Sequence, residues 1–319
     1  MTLPLPTRSL GSTGLTVTSV TLGGSPLGNM MANYKVTTTT AQAIELVCAA
    51  LDQGIRTIDT SNNYGDGESE RRIGAALKEY GPLPAGTVII TKVDARGEDY
   101  SGDRVRASLA ESQDRLGLDY LPVVHLHDPE FHDFDMMTAP GGAIDALVEA
   151  RAAGQIGHIG LAGGDSRVMQ RYLSHYECQG VFELLLTHNR WTLADRSSTA
   201  LIYWALEHKM AVFNAAVHGG GILTDPARQQ INYAYQPASA ATIYAIEQMR
   251  QVCRKYGTDL GTAALRFSTR DSRFASTIVG LSTTRRLEAT IAAATADLPD
   301  ALWQELAALL PSKDNWVDA

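Results

Sequence analysis

The sequence is poor in cysteine and in charge, and it contains no long apolar run. Its three cysteines, Cys48, Cys178 and Cys253, lie far apart and form no CxxC pair. A disulfide framework or a thiolate metal site is therefore not indicated, and we expect buried structural thiols. No apolar run reaches the roughly 18–20 residues that cross a bilayer, and the first residues lack the basic and apolar regions of a secretory signal. These absences favour a cytoplasmic protein that does not bind a membrane.

The balance of charge argues against a second group of partners. The 319 residues carry a net charge of −8, and only 19% of them are charged. Nonspecific binding to nucleic acid needs a basic surface, and so does attraction to anionic lipids. With 45% hydrophobic residues, the composition is instead typical of a compact enzyme that acts on a small molecule. It leaves open whether the protein is a monomer or a small homo-oligomer.

Short β-branched runs alternate with helix-forming stretches along the whole sequence. Eight strands are predicted, at Ser19–Gly23, Ile55–Asp59, Val88–Lys92, Leu121–His127, Ile156–Leu161, Phe182–Leu186, Ala211–Ala215 and Ser276–Gly280. Eight helices are predicted to alternate with them, at Thr40–Gln53, Ser69–Tyr80, Asp103–Leu116, Ala143–Ala153, Ser166–His175, Ser197–His208, Ala238–Tyr256 and Thr284–Ala296. Strict alternation predicts a parallel sheet, and eight units predict its closure into a (β/α)8 TIM barrel. We therefore expect a single α/β domain over residues 1–319.

Three segments lie outside this eightfold pattern. Residues 6–18 predict a β-hairpin before the first barrel strand, which we expect to close the N-terminal mouth of the barrel. Residues 217–237 are rich in glycine and then in tyrosine, and they predict a long loop after the seventh strand. Leu298–Leu310 predicts an extra C-terminal helix.

Four ionisable side chains follow successive strands of the predicted barrel. Asp59, Lys92 and His127 end the second, third and fourth strands, and Tyr64 lies in the loop after the second. Active sites of such barrels lie at the C-terminal ends of the strands. A tyrosine alone is a sluggish acid or base at neutral pH, but a neighbouring ammonium stabilises its phenolate. A carboxylate keeps the lysine charged, and a histidine can bond a substrate oxygen. Together they predict proton transfer to a carbonyl, or from an alcohol, as a hydride moves.

These residues and their surroundings resemble the aldo-keto reductase family from about residue 7 to 296. The resemblance is carried by Leu10–Val17, Gly54–Ser61, Tyr64-Gly65, Glu68–Glu70, Lys92, His127–Pro129, Arg151–Ile156, Asn189–Leu193, Ile278–Gly280 and Arg286–Glu288. It implies a barrel that binds NAD(P) without a Rossmann domain and passes hydride between nicotinamide and a carbonyl carbon. Tyr64 would be the general acid, Lys92 would modulate its pKa, Asp59 would pair with the lysine, and His127 would orient the substrate.

Some positions depart from the family pattern around the cofactor. Members commonly carry Gly-Val-Ser-Asn after the fifth strand, where this chain has Gly160–Gly163 without the two polar side chains. Ala215 stands where many members have a tyrosine that stacks on nicotinamide. We therefore expect the nicotinamide to be anchored differently, through Asn189, His188 or Asn214.

The choice between NAD and NADP depends on the last barrel strand. Many members have a lysine there that pairs with the adenosine 2′-phosphate, whereas this chain has Gly280, although Arg286 remains. Loss of a cation weakens 2′-phosphate binding, so NAD is slightly favoured while the preference stays unresolved. The expected cofactor contacts are Gly23, Asn189, Asn214, Gly219, Gly220, Gly221, Leu223, Gly280, Ser282, Thr283 and Arg286.

Two of these segments have an ordinary structural interpretation as well. The glycines at 219–221 could let backbone amides approach a pyrophosphate, or they could form a plain flexible loop. Ser282 and Thr283 could contact the adenosine phosphate, or they could only cap the last helix. Tyr34, Trp191 and His218 are substrate candidates because an aromatic and polar mixture suits a sugar, and each could equally serve packing.

The departures resemble one branch of the family, the aldose 1-dehydrogenases that act on D-threo-aldoses (L-fucose) and on L-galactose. That closer resemblance is carried by His125–Pro129, Gly219–Leu223 and Val279–Ser282. It implies oxidation of an aldose at C1 to the lactone. A general NADPH-dependent reductase of aldehydes and ketones is the alternative within the family.

Two interpretations outside the family's chemistry stay open at this stage. His125 and His127 lie two apart on a strand and so face the same way, and with His188 they could ligate a metal in a barrel hydrolase or isomerase. That interpretation leaves Tyr64 and Lys92 without a role, so we expect no metal. A cofactor-sensing subunit without activity is the other possibility, although all four catalytic positions are intact.

Overall fold

The computed structural model describes residues 5–30, 37–224 and 231–318. A closed barrel of eight parallel strands lies at its centre, in which each strand pairs with the next along the chain and the last pairs with the first. The short strands β1 (Thr7–Ser9) and β2 (Thr16–Thr18) precede it. The barrel strands are β3 (Val20–Gly23), β4 (Thr57–Asp59), β5 (Val88–Val93), β6 (Leu121–His127), β7 (Ile156–Gly163), β8 (Leu184–His188), β9 (Ala211–Ala215) and β12 (Ser276–Gly280). A two-residue pair, β10 (Asn232–Tyr233) and β11 (Gln236–Pro237), lies between β9 and β12. The predicted (β/α)8 barrel is therefore confirmed.

Helices follow the barrel strands, and all eight predicted helices occur close to their expected bounds. The helices are α1 (Thr40–Asp52), α2 (Glu68–Tyr80), α3 (Gly102–Leu116), α4 (Phe134–Thr138), α5 (Ala143–Ala152), α6 (Ser166–His175), α7 (Thr199–Glu207), α8 (Ala240–Lys255), α9 (Leu260–Thr269), α10 (Thr284–Ala294) and α11 (Asp300–Ala308). The expected C-terminal helix is α11. Among the described residues, no helix combines the length and the apolar character needed to cross a membrane.

The expectation of strict alternation is wrong between β9 and β12, where two helices lie in succession. The second of them, α9, contains glycine, serine and threonine, which are weak helix formers. A cap and tertiary packing stabilise it instead: the Asp259 carboxylate accepts the Thr262 backbone N–H at 2.9 Å, and Leu260 and Ala264 are buried. The short helix α4 was not predicted either.

The predicted N-terminal hairpin closes the N-terminal mouth of the barrel. Its strands pair antiparallel, and Leu10 at its turn is fully buried. Leu10 belongs to the same apolar cluster as Val88, Leu184 and Ala211, the first residues of three barrel strands. Gly11 has φ +58°, and a Cβ there would lie 2.8 Å from the Ala211 backbone nitrogen. The turn therefore needs glycine, because its backbone packs directly on the barrel.

The cysteines only partly match their expected burial. Cys253 is buried and Cys48 is half-buried, but Cys178 is exposed in a short turn after α6. The expectation of a buried thiol is therefore wrong for Cys178, because that turn lies outside the helix layer and packs no core.

The packing of the N-terminal hairpin against the barrel can be tested by shortening the side chain of Leu10. Leu10→Ala should lower the free energy of unfolding by about 2–5 kcal/mol, because it leaves a cavity in a fully packed site. Urea unfolding followed by circular dichroism measures this loss. Ile243→Ala on α8, where the side chain is 40% exposed, is the matched control and should change stability little. Equal losses of stability in both variants would contradict a structural role for Leu10 at the mouth of the barrel.

Candidate active site

The ends of β4 and β5 bring an acid, an amine and a phenol together. Asp59 and Lys92 are 2% and 1% exposed, and Lys92 Nζ lies 2.8 and 2.9 Å from the two Asp59 carboxylate oxygens. The same ammonium donates to the Thr60 carbonyl at 2.6 Å and to the Tyr64 hydroxyl at 3.2 Å. A buried ammonium thus has a counter-charge on one side and a phenol on the other. A phenolate at Tyr64 would be stabilised by this contact.

The loop after β4 fixes Tyr64 through a close backbone approach. Gly65 has φ +65°, and a Cβ on it would overlap the carbonyl of Gly28. The Tyr64 amide donates to the Ser61 carbonyl at 3.2 Å. The Lys92 Nζ also lies 4.7 Å from the Tyr64 ring centroid, a cation–π distance. Ring and hydroxyl are therefore both held against the ammonium.

Burial sets the electrostatics of the Asp59–Lys92 pair. Burial raises the pKa of the Asp59 carboxyl, and the Lys92 charge together with the hydrogen bond from Lys92 opposes that rise. The pair stabilises the fold only as a unit, because either charge alone would be left in an apolar interior.

His127 stands across the rim with an acid near each ring nitrogen. Its Nδ1 lies 2.6 Å from Asp94 Oδ1, and its Nε2 lies 3.5 Å from Asp128 Oδ1. Burial alone would lower the pKa of His127, but the charges of Asp128 and Asp94 outweigh it and raise the pKa to about 9. The ring packs edge-on to Tyr64, with centroids 5.9 Å apart. A protonated imidazole beside the phenol can donate a hydrogen bond to a substrate oxygen.

Sequence reasoning missed Asp94, although a signal was present. Lys92 and Asp94 are two residues apart at the end of β5, and side chains with that spacing point to the same face. The inward direction of Lys92 therefore implied an inward Asp94. The predicted strand ends at Lys92, so it does not include the next inward position.

One cavity of about 310 Å³ joins these groups to the last barrel strand, a volume within the range of small-molecule sites. Of the residues predicted from the sequence, those that line it are Asp59, Tyr64, Lys92, His127, Gly23, Gly220, Gly221, Gly280, Ser282, Arg286, His188 and His218. The structure thus brings all four expected catalytic side chains into one cleft with much of the expected cofactor set.

Other predicted contacts do not reach this cavity. Asn214 alternates with inward Phe213 and Ala215, so its amide points outward and donates to the Trp191 carbonyl and to Ser268. Trp191 itself packs against Phe267. The remaining contacts outside the cavity lining are Asn189, Gly219, Leu223 and Thr283. Tyr34 lies outside the described residues.

The far end of the cavity has the groups that a dinucleotide requires. Arg286 and Ser282 line it at the beginning of α10, whose first turn is capped by the Thr283 hydroxyl. A helix N-terminus beside a cation favours a phosphate. Gly220 and Gly221 have φ of +75° and +110°, and without side chains they allow a ligand to approach their backbone. The residues present at this end of the cavity therefore fit a phosphate group of a nicotinamide dinucleotide.

The metal interpretation finds little support in the described part of the chain. The one group of potential ligands there is Asp128, Glu130 and His188, with one atom of each within 4.8 Å of the others. It contains neither His125 nor His127, the pair on which that interpretation depends. Glu130 Oε1 also accepts the backbone N–H groups of residues 164 and 165 at 2.5 and 3.2 Å, so this carboxylate already has a structural role.

Comparison with known proteins assigns the chain to one family of oxidoreductases. The chain belongs to the aldo/keto reductase family, because a model of that family matches residues 20–311. Enzymes of this family act on small carbonyl or sugar substrates with a nicotinamide cofactor.

Named relatives agree with this assignment, and a solved structure agrees with the fold. The chain is 29% identical to the L-galactose dehydrogenase of Arabidopsis thaliana, covering 90% of this chain and 88% of that one. It is 29% identical to the D-threo-aldose 1-dehydrogenase of a Pseudomonas species, with 92% and 94% covered. Pyridoxal 4-dehydrogenase of Microbacterium luteolum is also 29% identical, with 94% and 96% covered. The holo form of aldo-keto reductase AKR11C1 from Bacillus halodurans shares the fold, with a TM-score of 0.77 at 20% identity and 97% of each chain covered.

The buried pair can be tested through stability. Asp59→Asn should lower the free energy of unfolding by about 3–5 kcal/mol, because it leaves the Lys92 ammonium buried without a counter-charge. The double variant Asp59→Asn/Lys92→Met removes that charge and should recover part of the loss. Asp66→Asn, whose side chain is 93% exposed, is the control. A double variant no more stable than the single one in urea would contradict this account.

Proposed function

We propose that the protein is an NAD(P)-dependent dehydrogenase that oxidises an aldose at C1 to the lactone. The observation that carries the proposal is the Tyr64 hydroxyl, 3.2 Å from the Lys92 ammonium, in a cavity also lined by His127. Two of the similar relatives are named for oxidation of sugars, which supports an aldose over a simple aldehyde.

In the proposed reaction, each of the four expected catalytic side chains has its own role at the C1 hydroxyl. Tyr64 accepts the hydroxyl proton as C1 loses a hydride and the C–O bond becomes double. Lys92 stabilises the phenolate form of Tyr64 that accepts this proton, and Asp59 keeps the ammonium in place. His127 donates a hydrogen bond to the same oxygen and stabilises the negative charge that develops there. When bound, the nicotinamide ring supplies the hydride-accepting carbon.

His188 is our candidate for the nicotinamide anchor. It lines the cavity, and burial lowers its pKa to about 4, so the ring is neutral at physiological pH. The Asn189 amide donates to its Nδ1 at 3.1 Å, which leaves the proton on Nε2. His188 can therefore donate to a carboxamide oxygen, replacing the polar pair that is missing at Ala162 and Gly163.

The cavity side chains beside the four expected catalytic residues suit a molecule with many hydroxyl groups. Asn63 and Asp128 line the catalytic cavity, and they also line a second, polar cavity of about 280 Å³ that His127 borders as well. Amide and carboxylate groups give vicinal hydroxyls both donors and acceptors. The remaining hydroxyls of a sugar held at C1 would face these side chains.

A substrate panel tests the proposal. Purified protein is given L-fucose, L-galactose, D-arabinose or pyridoxal with NAD or NADP, and the reduced-nicotinamide absorbance is followed. We expect oxidation of at least one aldose, with lactone as the product by mass spectrometry. NAD should serve at least as well as NADP because Gly280 offers no cation to a 2′-phosphate. Turnover of simple aldehydes alone, with NADPH, would instead indicate a general carbonyl reductase.

Tyr64 gives the sharpest test of the chemistry. Tyr64→Phe should lower kcat by about 10²–10⁴-fold, because only proton transfer is lost. Binding of reduced cofactor, followed by fluorescence titration, should change little. Tyr120→Phe, at an exposed position before β6, is the matched control. Turnover of Tyr64→Phe at the wild-type rate would refute the role of this hydroxyl.

A further inference from the structure

Asp94 is a buried acid that the four expected catalytic residues do not include. It follows directly after β5 and is 5% exposed. One carboxylate oxygen lies 2.6 Å from His127 Nδ1. The other accepts the Ser61 hydroxyl and the Asn63 backbone N–H, the latter at 3.0 Å. Both oxygens are therefore held, and the carboxylate is fixed against the imidazole.

The hydrogen bonds determine the role of Nδ1 in the His127 ring. Burial would raise the pKa of Asp94, but the charge and hydrogen bond of His127, with the bonds from Ser61 and Asn63, hold it below its usual value. An ionised carboxylate only accepts hydrogen bonds, so Nδ1 of His127 is the donor. Nε2 is left on the opposite side of the ring, near Asp128.

Apart from Asp94 and Asp128, the titratable groups around His127 are either paired or neutral. Lys92 on β5 opposes protonation of the ring, but it is paired with Asp59 on β4. His125 on β6 and His188 on β8 have pKa values lowered by burial, so both are neutral at physiological pH. Asp94 and Asp128 are left as the acids that balance a charge on His127.

We propose that Asp94 is a positioning residue, which holds the His127 ring with Nε2 directed toward the reacting oxygen and supplies the counter-charge for a cationic donor. A charged donor stabilises a developing oxyanion more strongly than a neutral one. The role of His127 toward substrate rests on the proposed function, whereas the ring–carboxylate pair itself does not.

The pair predicts how the ring responds to pH. The pKa of His127 is raised to about 9, so the imidazolium is present below that pH and is lost above it. Removing the Asp94 charge should lower this pKa by about 1–3 units. Turnover that depends on the cationic ring should then begin to fall at a correspondingly lower pH. Asp94→Asn keeps an acceptor oxygen for Nδ1, so it separates charge from orientation, whereas Asp94→Ala removes both.

The direct test is a ¹⁵N NMR titration of the histidine rings in protein without cofactor, with the His127 signal identified by its absence in His127→Asn. We expect wild-type His127 to titrate well above neutral pH and to show a protected low-field Nδ1 proton. Asp94→Asn and Asp94→Ala should shift the titration down by about 1–3 units. Asp103→Asn, whose side chain is 96% exposed, should leave it unchanged.

Several outcomes would overturn the proposal without reference to any substrate. The first is a wild-type His127 ring that titrates near its ordinary pKa. This measurement uses the wild-type protein alone, so it does not depend on whether a variant folds. The second is an Asp94→Asn protein, folded by circular dichroism, whose His127 titrates as in the wild type. With an active substrate, a pH–kcat profile that Asp94→Asn leaves unmoved would also refute it. An inactive protein whose His127 titration behaves as expected would refute the proposed dehydrogenase function and leave the pairing standing.

Discussion

The structure of the candidate site depends on the ammonium of Lys92 inside the barrel wall. A lysine that is 1% exposed is tolerated only with a close counter-charge and further hydrogen-bond acceptors. Asp59 and the Thr60 carbonyl supply these. The parallel register pairs Asp59 with Ile90, so Lys92 lies two residues further along β5. Its long side chain extends back to the Asp59 carboxylate. The strand register thus fixes the ion pair, and the ion pair in turn fixes where a phenol can be activated.

A second charged pair, His127 and Asp94, stands across the rim from the first. Asp59 is the acid beside Lys92, whereas Asp94 and Asp128 both lie beside His127. Asp128 also lines the cavity, where its side chain is 39% exposed. It lies at the end of β6 with φ +46°, a conformation that non-glycine residues seldom adopt. A carboxylate in this place disfavours an anionic substrate and accepts hydrogen bonds from hydroxyl groups.

Much of the barrel and the convergence of Asp59, Lys92 and His127 could be predicted, because both follow from strand periodicity. A strand end is marked by the change from β-branched residues to polar ones, and Asp59 and His127 lie at such changes. Loop side chains were beyond this reasoning. Asn189 has φ +60°, so the chain turns sharply after β8 and takes Trp191 away from the cavity. The helix α9 was missed for a related reason, since its stability comes from a cap and from packing that no local pattern records.

Gly160 and Gly163 on β7, and Gly164 directly after it, lie close to three different side chains. A Cβ on Gly160 would overlap the ring of His125, which fills the barrel interior. A Cβ on Gly164 would lie 3.0 Å from His188 Nε2, and one on Gly163 would lie 2.6 Å from the Glu130 carboxylate. A larger residue at position 164 would therefore press on the His188 imidazole, which lines the cavity. Ala162 and Gly163 at the end of β7 offer the cavity no polar side chain, whereas His188 on the neighbouring strand β8 does.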